Sequence, residues 1–171
     1  IRDRYTNVGK SSLMKSVTKS DVLIQNQLFA TLDTTVRRLF IGDNNYVLLS
    51  DTVGFIRNLP DNLIASFKST LQEVVDSNLL LIVLDANSQD LFNEIETIKS
   101  VLKEINAFEI DYKYVFNKID LVDPEKISYL KQSFPDSLMV SAIRSLQISD
   151  IKDTIAEKYA EWVSALKNPS H

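Results

Sequence analysis

Cysteine is absent from the 171 residues of this chain, which excludes disulfide frameworks and thiolate metal sites and is compatible with a reducing cytoplasm. No apolar run approaches the ~20 residues needed to cross a bilayer, and no signal-peptide pattern is present. Positive charge is not in excess. Lys and Arg number 19 against 23 Asp and Glu, and the net charge of −4 offers no global attraction to nucleic acid, so any RNA contact needs a local patch. The single histidine, His171, ends an Asn168-Pro169-Ser170 tail and carries no defensible chemistry. Glycine is scarce too: Gly9, Gly42 and Gly54 are the only three. What is present, 44% hydrophobic residues in a chain of this length, fits one compact domain with a sizeable core.

The hydrophobic pattern alternates between strand and helix periods, as an α/β protein requires. Residues 10–19 read as a short helix. Residues 35–41 and 46–50 read as strands joined by Gly42-Asp43-Asn44-Asn45, a turn signal that predicts an antiparallel hairpin. Residues 63–76 have helical periodicity, and 79–84 form a continuously apolar run expected for a central parallel strand covered on both faces. Residues 91–105 and 124–133 read as helices, the second with Asp123 as N-cap and Pro124 at the first helical position. A closing helix over 148–166 repeats Ile151, Ile155, Tyr159 and Trp162 at three- and four-residue spacing, an expected core stripe.

Chemistry is concentrated at strand ends. Asn117-Lys118-Ile119-Asp120 follows the apolar run 112–116, which places it where α/β sheets bind ligands. A carboxylate at Asp120 can accept two hydrogen bonds from guanine, whereas adenine presents the opposite pattern; the Lys118 stem can lie over the base, and the Asn117 amide can tie neighbouring loops together. Asn7-Val8-Gly9-Lys10-Ser11-Ser12 holds the Gly-Lys-Ser core of a phosphate loop, with backbone N–H groups around a phosphate, Lys10 on its oxygens and the Ser11 hydroxyl on Mg²⁺. Asp51-Thr52-Val53-Gly54 ends the strand at 46–50; Asp51 can hold Mg²⁺ through water, and the Gly54 N–H can meet a γ-phosphate. Ser141-Ala142, continuing to Ile143, follows the apolar run 138–140 and can offer a backbone N–H to the guanine O6. Four such motifs in this order predict a P-loop GTP-binding domain with GTP or GDP as ligand, a mostly parallel sheet and one antiparallel hairpin.

One part of that fold is missing. A phosphate loop needs a buried strand directly before it, with a glycine five positions ahead of Gly9. Arg4 occupies that position, and Ile1-Arg2-Asp3-Arg4 cannot form the strand. Either the loop is degenerate or the chain joins two stretches at Arg4 and Tyr5, with residues 1–4 a remnant of an upstream region and 5–171 the nucleotide-binding domain.

Three stretches then carry a resemblance. They are Tyr5-Thr6-Asn7-Val8-Gly9-Lys10-Ser11-Ser12, Leu28-Phe29-Ala30-Thr31-Leu32-Asp33-Thr34-Thr35-Val36-Arg37-Arg38, and Asp51-Thr52-Val53-Gly54-Phe55-Ile56-Arg57-Asn58-Leu59-Pro60. The chain resembles the HflX family of bacterial GTPases from Tyr5 to about Ser145. That resemblance implies a cytoplasmic GTPase that associates with the large ribosomal subunit and can split stalled ribosomes, expected here to be a monomer. It assigns Phe29-Ala30-Thr31-Leu32-Asp33 to a first switch in which Thr31 closes over Mg²⁺ and the γ-phosphate; without it, Thr31 reads as a turn-capping hydroxyl. Catalytic roles then fall to Lys10, Thr31 and Gly54. Phe55 replaces the glutamine that orients water in many GTPases, so slow basal hydrolysis is expected. Asn7 matches a potassium ligand in relatives that use K⁺, or else stabilises its own loop. Arg57 is a candidate RNA contact or a surface ion pair, and at least one of Arg37 and Arg38 reads instead as part of the solvated face of an edge strand. The alternative functions are another translation-linked or tRNA-modifying GTPase, or a non-hydrolysing nucleotide sensor.

Overall fold

Strand-length apolar runs separated by helical periods build an alternating α/β architecture in the computed structural model, which describes residues 8–18, 23–24, 35–51 and 68–167. The elements are α1 Lys10–Val17, β1 Leu23–Ile24, β2 Thr35–Gly42, β3 Asn45–Asp51, α2 Lys68–Val75, β4 Leu80–Asp85, α3 Leu91–Glu104, β5 Tyr112–Asn117, α4 Pro124–Ser133, β6 Leu138–Met139 and α5 Ile148–Lys167. The junction of Arg4 and Tyr5 lies outside the described residues.

The strands form two three-stranded sheets. One is antiparallel, ordered β1-β2-β3; the other is parallel, ordered β4-β5-β6. The expected hairpin is present and gains β1 as a third strand. Its turn carries positive φ at Asp43 (49°) and Asn44 (60°), the backbone twist that closes a tight hairpin. Among the described residues no strand joins the two sheets. Their facing edges, β3 and β4, instead line a cavity of about 220 Å³ that also takes in Lys10, Leu13 and Val17 of α1 and Ile151 of α5.

The period of two along each strand sends alternate side chains into two cores. Ile82 and Leu84 of β4 and Tyr114 and Phe116 of β5 pack under α3 and α4, against Ile95, Leu102 and Leu130. Val115, on the opposite face, joins Leu13 and Val17 of α1, Leu39 of β2, and Ile151 and Ile155 of α5. The expected burial of both faces of β4 is only half met. Leu84 is buried, while Leu81 and Val83 stay half-buried because they face the cavity.

Two further expectations meet different outcomes. Asp123 caps α4 as read, accepting the Lys126 N–H at 2.7 Å with Pro124 in the first turn. Trp162, read as core, is 48% exposed. Ile151 and Ile155 sit over the sheet and Tyr159 at its rim, where its hydroxyl lies 3.3 Å from Asn45 Oδ1; Trp162 belongs to the part of α5 that continues past it.

Candidate functional site

The chemistry-bearing residues gather where β3, β4, β5 and β6 end. Asn117 closes β5 and is 2% exposed. Its Nδ2 donates to the Val8 carbonyl at 2.9 Å, and its Oδ1 accepts the Ala142 N–H at 3.0 Å. One side-chain amide thus joins three stretches more than twenty residues apart in sequence, and both of its polar ends are satisfied in a buried place.

Gly9 explains why the loop entering α1 needs glycine. Its φ is 83°, a conformation that disfavours any Cβ, and a Cβ there would stand 2.5 Å from Asn117 Nδ2. The first turn of α1 has no side-chain cap, so its leading N–H groups are available to an anion. Lys10 and Ser11 begin that turn, with Ser11 and Ser12 exposed. Ser11 Oγ donates to Asp51 Oδ2 at 3.2 Å, which brings a hydroxyl and a carboxylate from two motifs to one point. A hydroxyl beside a carboxylate is a donor set suited to a hard divalent cation such as Mg²⁺.

The base-side loops are cross-linked further. Lys118 takes the left-handed conformation (φ 65°), Asp120 lies in the short 3₁₀ turn Ile119–Leu121, and the Ile119 N–H donates to the Val140 carbonyl at 3.2 Å. Ser141 and Leu146 exchange backbone hydrogen bonds at 3.1 and 3.0 Å, closing the loop that carries Ala142 and the exposed Ile143. That loop has no glycine; Ser145 and Gln147 adopt positive φ of 54° each instead. Arg144 Nε stands 4.0 Å from Asp120 Oδ2.

The structure therefore brings together Val8, Gly9, Lys10, Ser11, Asp51, Asn117, Lys118, Ile119, Asp120, Ser141 and Ala142. Asn7, Phe29, Ala30, Thr31, Leu32, Asp33, Thr52, Val53 and Gly54 lie outside the described residues, as do Phe55 and Arg57.

The sequence pattern of the 50S ribosome-binding GTPase family spans residues 4–118. The chain belongs to that family. Within it, the similarity is to HflX proteins: 46% identity to GTPase HflX of Gluconacetobacter diazotrophicus over 88% of this chain and 34% of the relative, and 41% identity to GTPase HflX of Escherichia coli over 94% and 38%. The chain spans about a third of the length of these curated relatives. The solved structure of SsGBP in complex with GDP superposes with a TM-score of 0.63 at 25% identity, covering 95% of this chain and 48% of that one. The G domain of the FeoB iron transporter of T. maritima shares the fold, with a TM-score of 0.59 at 16% identity over 90% of this chain and 92% of its own.

Two residues of this HflX-family domain escaped the motif reading. Ser16 Oγ donates to the Ala142 carbonyl at 3.0 Å, tying α1 to the last loop; a serine inside a helix gives no sequence signal of that kind. Asp85 closes β4, and its Oδ2 lies 2.6 Å from Lys118 Nζ. A signal for Asp85 did exist. It is a carboxylate ending an apolar strand, the same pattern that singled out Asp51.

Proposed function

We propose that residues 5–171 form one domain that binds guanine nucleotide with Mg²⁺, hydrolyses GTP to GDP and phosphate, and serves as the switch of a cytoplasmic protein that associates with the large ribosomal subunit. The observation that carries this reading is the Asn117 side chain, whose two hydrogen bonds join the phosphate loop to the base-side loops at the ends of the sheet. The HflX relatives favour this reading over a tRNA-modifying GTPase or a non-hydrolysing sensor. Among the described residues no helix is long and apolar enough to cross a membrane.

Each residue has a role that follows from its chemistry. Backbone N–H groups from Gly9 to Ser12 receive the phosphates, and Lys10 offsets their charge. Ser11, Asp51 and Thr31 would hold Mg²⁺, whose bound charge neutralises phosphate oxygens during transfer. The Gly54 N–H would meet the γ-phosphate. Asp120 accepts from the base, Lys118 covers it, and the loop of Ser141, Ala142 and Ile143, whose Ala142 N–H is already taken up by Asn117 Oδ1, lies beside it. Phe29, Ala30, Leu32 and Asp33 would carry Thr31 in the first switch, with Thr52 and Val53 linking Asp51 to Gly54. Asn7 is the candidate K⁺ ligand. Because Phe55 has no hydrogen-bonding group, basal turnover is slow and the large subunit raises it.

Base choice tests the proposal. Asp120→Asn removes the double acceptor, so GDP binding should weaken by ~2–4 kcal/mol while xanthine nucleotides gain. Fluorescent GDP and XDP titrations read both quantities. Equal GDP affinity in parent and variant would show that Asp120 does not read the base, and a parent that binds neither nucleotide would remove the proposal altogether.

A further inference from the structure

We propose that Asp85 is a positioning residue for Lys118: it holds the lysine's ammonium group so that the stem is laid out for the base before nucleotide arrives, and it thereby sets how long guanine nucleotide stays bound. The inference deepens the nucleotide-binding reading above and rests on it. Asp85 is the last residue of β4 and the direct register partner of Asn117 in β5. Asp85 Oδ2 and Lys118 Nζ are 2.6 Å apart, with side chains only 24% and 22% exposed. The carboxylate is itself anchored, because Oδ1 accepts the Asn87 N–H at 2.9 Å. The Ala86 N–H donates to the Asn117 carbonyl at 2.9 Å, so the two strand ends are locked to each other independently of the ion pair.

A lysine stem has many rotamers, and each contact that fixes its ammonium group beforehand lowers the cost of ordering it at the moment of binding. The left-handed backbone conformation of Lys118 is strained for a residue with a Cβ, and such strain persists only where the surroundings hold it. The bonds from the Ile119 N–H to the Val140 carbonyl and from the Leu121 N–H to the Lys118 carbonyl hold the backbone, and the Asp85 carboxylate fixes the far end of the side chain from the neighbouring strand. Packing gives no reason for a charge at this position, since the preceding residues of β4 are all apolar.

The test is a double-mutant cycle on the whole chain with fluorescent GDP. Asp85→Asn keeps the size and the acceptor for Asn87 while removing the charge. It should raise the GDP Kd about tenfold, chiefly through faster dissociation, the size expected for one charge-assisted hydrogen bond. In a Lys118→Met background, which retains the stem without the ammonium, the same change should shift Kd less than about twofold. A parent-like Kd in Asp85→Asn overturns the inference, and so does an undiminished loss in the Lys118→Met background. If Asp85→Asn melts below the assay temperature, Asp85→Glu decides: it retains the charge and should bind GDP within about threefold of the parent, whereas a tenfold loss there counts against the proposal. Asp120→Asn run in parallel separates the two levels. If Asp120→Asn leaves GDP affinity intact, the nucleotide reading fails; if only Asp85→Asn does, this inference alone fails.

Discussion

Among the described residues, the base side and the phosphate side of the site are held by different amounts of structure. On the base side, Asn117 to Asp120 and Ser141 to Leu146 hang from the parallel sheet, and four kinds of bond cross-link them: the Asn117 amide, the Lys118–Asp85 pair, the Ile119–Val140 bond and the Ser141–Leu146 exchange. On the phosphate side, Asp51 ends β3, an edge strand among the described residues, and a 3.2 Å bond ties it to Ser11. A site for a ligand with a flat base and a mobile phosphate chain has this asymmetry for a physical reason. The base needs fixed donors and acceptors, while the phosphate half must rearrange with each change of nucleotide state.

Five substitutions, in four tests, break or sharpen the comparison, the tests in falling order of their largest effect. Leu84→Ala, deep under α3 and α4, should cost ~3–4 kcal/mol of stability, whereas Leu81→Ala, beside the existing cavity, should cost about half as much. Urea unfolding of the two variants measures the difference, and equal costs would mean that β4 is packed alike on both faces. Asn117→Ala strands the Val8 carbonyl and the Ala142 N–H together; a loss of ~2–3 kcal/mol is expected, with faster hydrogen exchange at Ala142. Gly9→Ala forces a Cβ toward Asn117 and into a left-handed backbone, for about 2 kcal/mol. Thermal melts with and without GDP would show whether that loss is felt mainly in the bound state; an unchanged melt in both would contradict the close approach. Gln147→Gly should act in the opposite direction. It relieves a positive φ of 54° at an exposed site and should stabilise by about 0.5 kcal/mol, readable as a small rise in the denaturation midpoint.

Apart from the two-residue β1, the helix and strand order was legible in the sequence because each element carries its own period. α4 runs Pro124–Ser133 as cap chemistry indicates, β5 ends at Asn117, one residue past the run read at 112–116, and α1, α3 and α5 end within two residues of the pattern. The four motifs were legible for the same reason: each is a few consecutive residues at a strand end or helix start. Trp162 was misread because periodicity reports which residues share a helix face and says nothing about how far the sheet beneath extends. Asp85 was passed over because its partner Lys118 is 33 positions away, and only parallel pairing of β4 with β5 makes them neighbours.

By itself, then, the sequence determined the alternation of elements, the residues able to meet phosphate, metal and guanine, and the likeness to HflX proteins, since all of these are local patterns. Tertiary structure decided the rest. Among the described residues it set the strands in an antiparallel and a parallel sheet with a cavity between their edges, and it turned the Asn117 side chain into the joint between Val8 and Ala142. It also set an aspartate from one strand against the lysine that follows the next. Such pairings depend on which strand edges meet and in what register, and no local period encodes that choice.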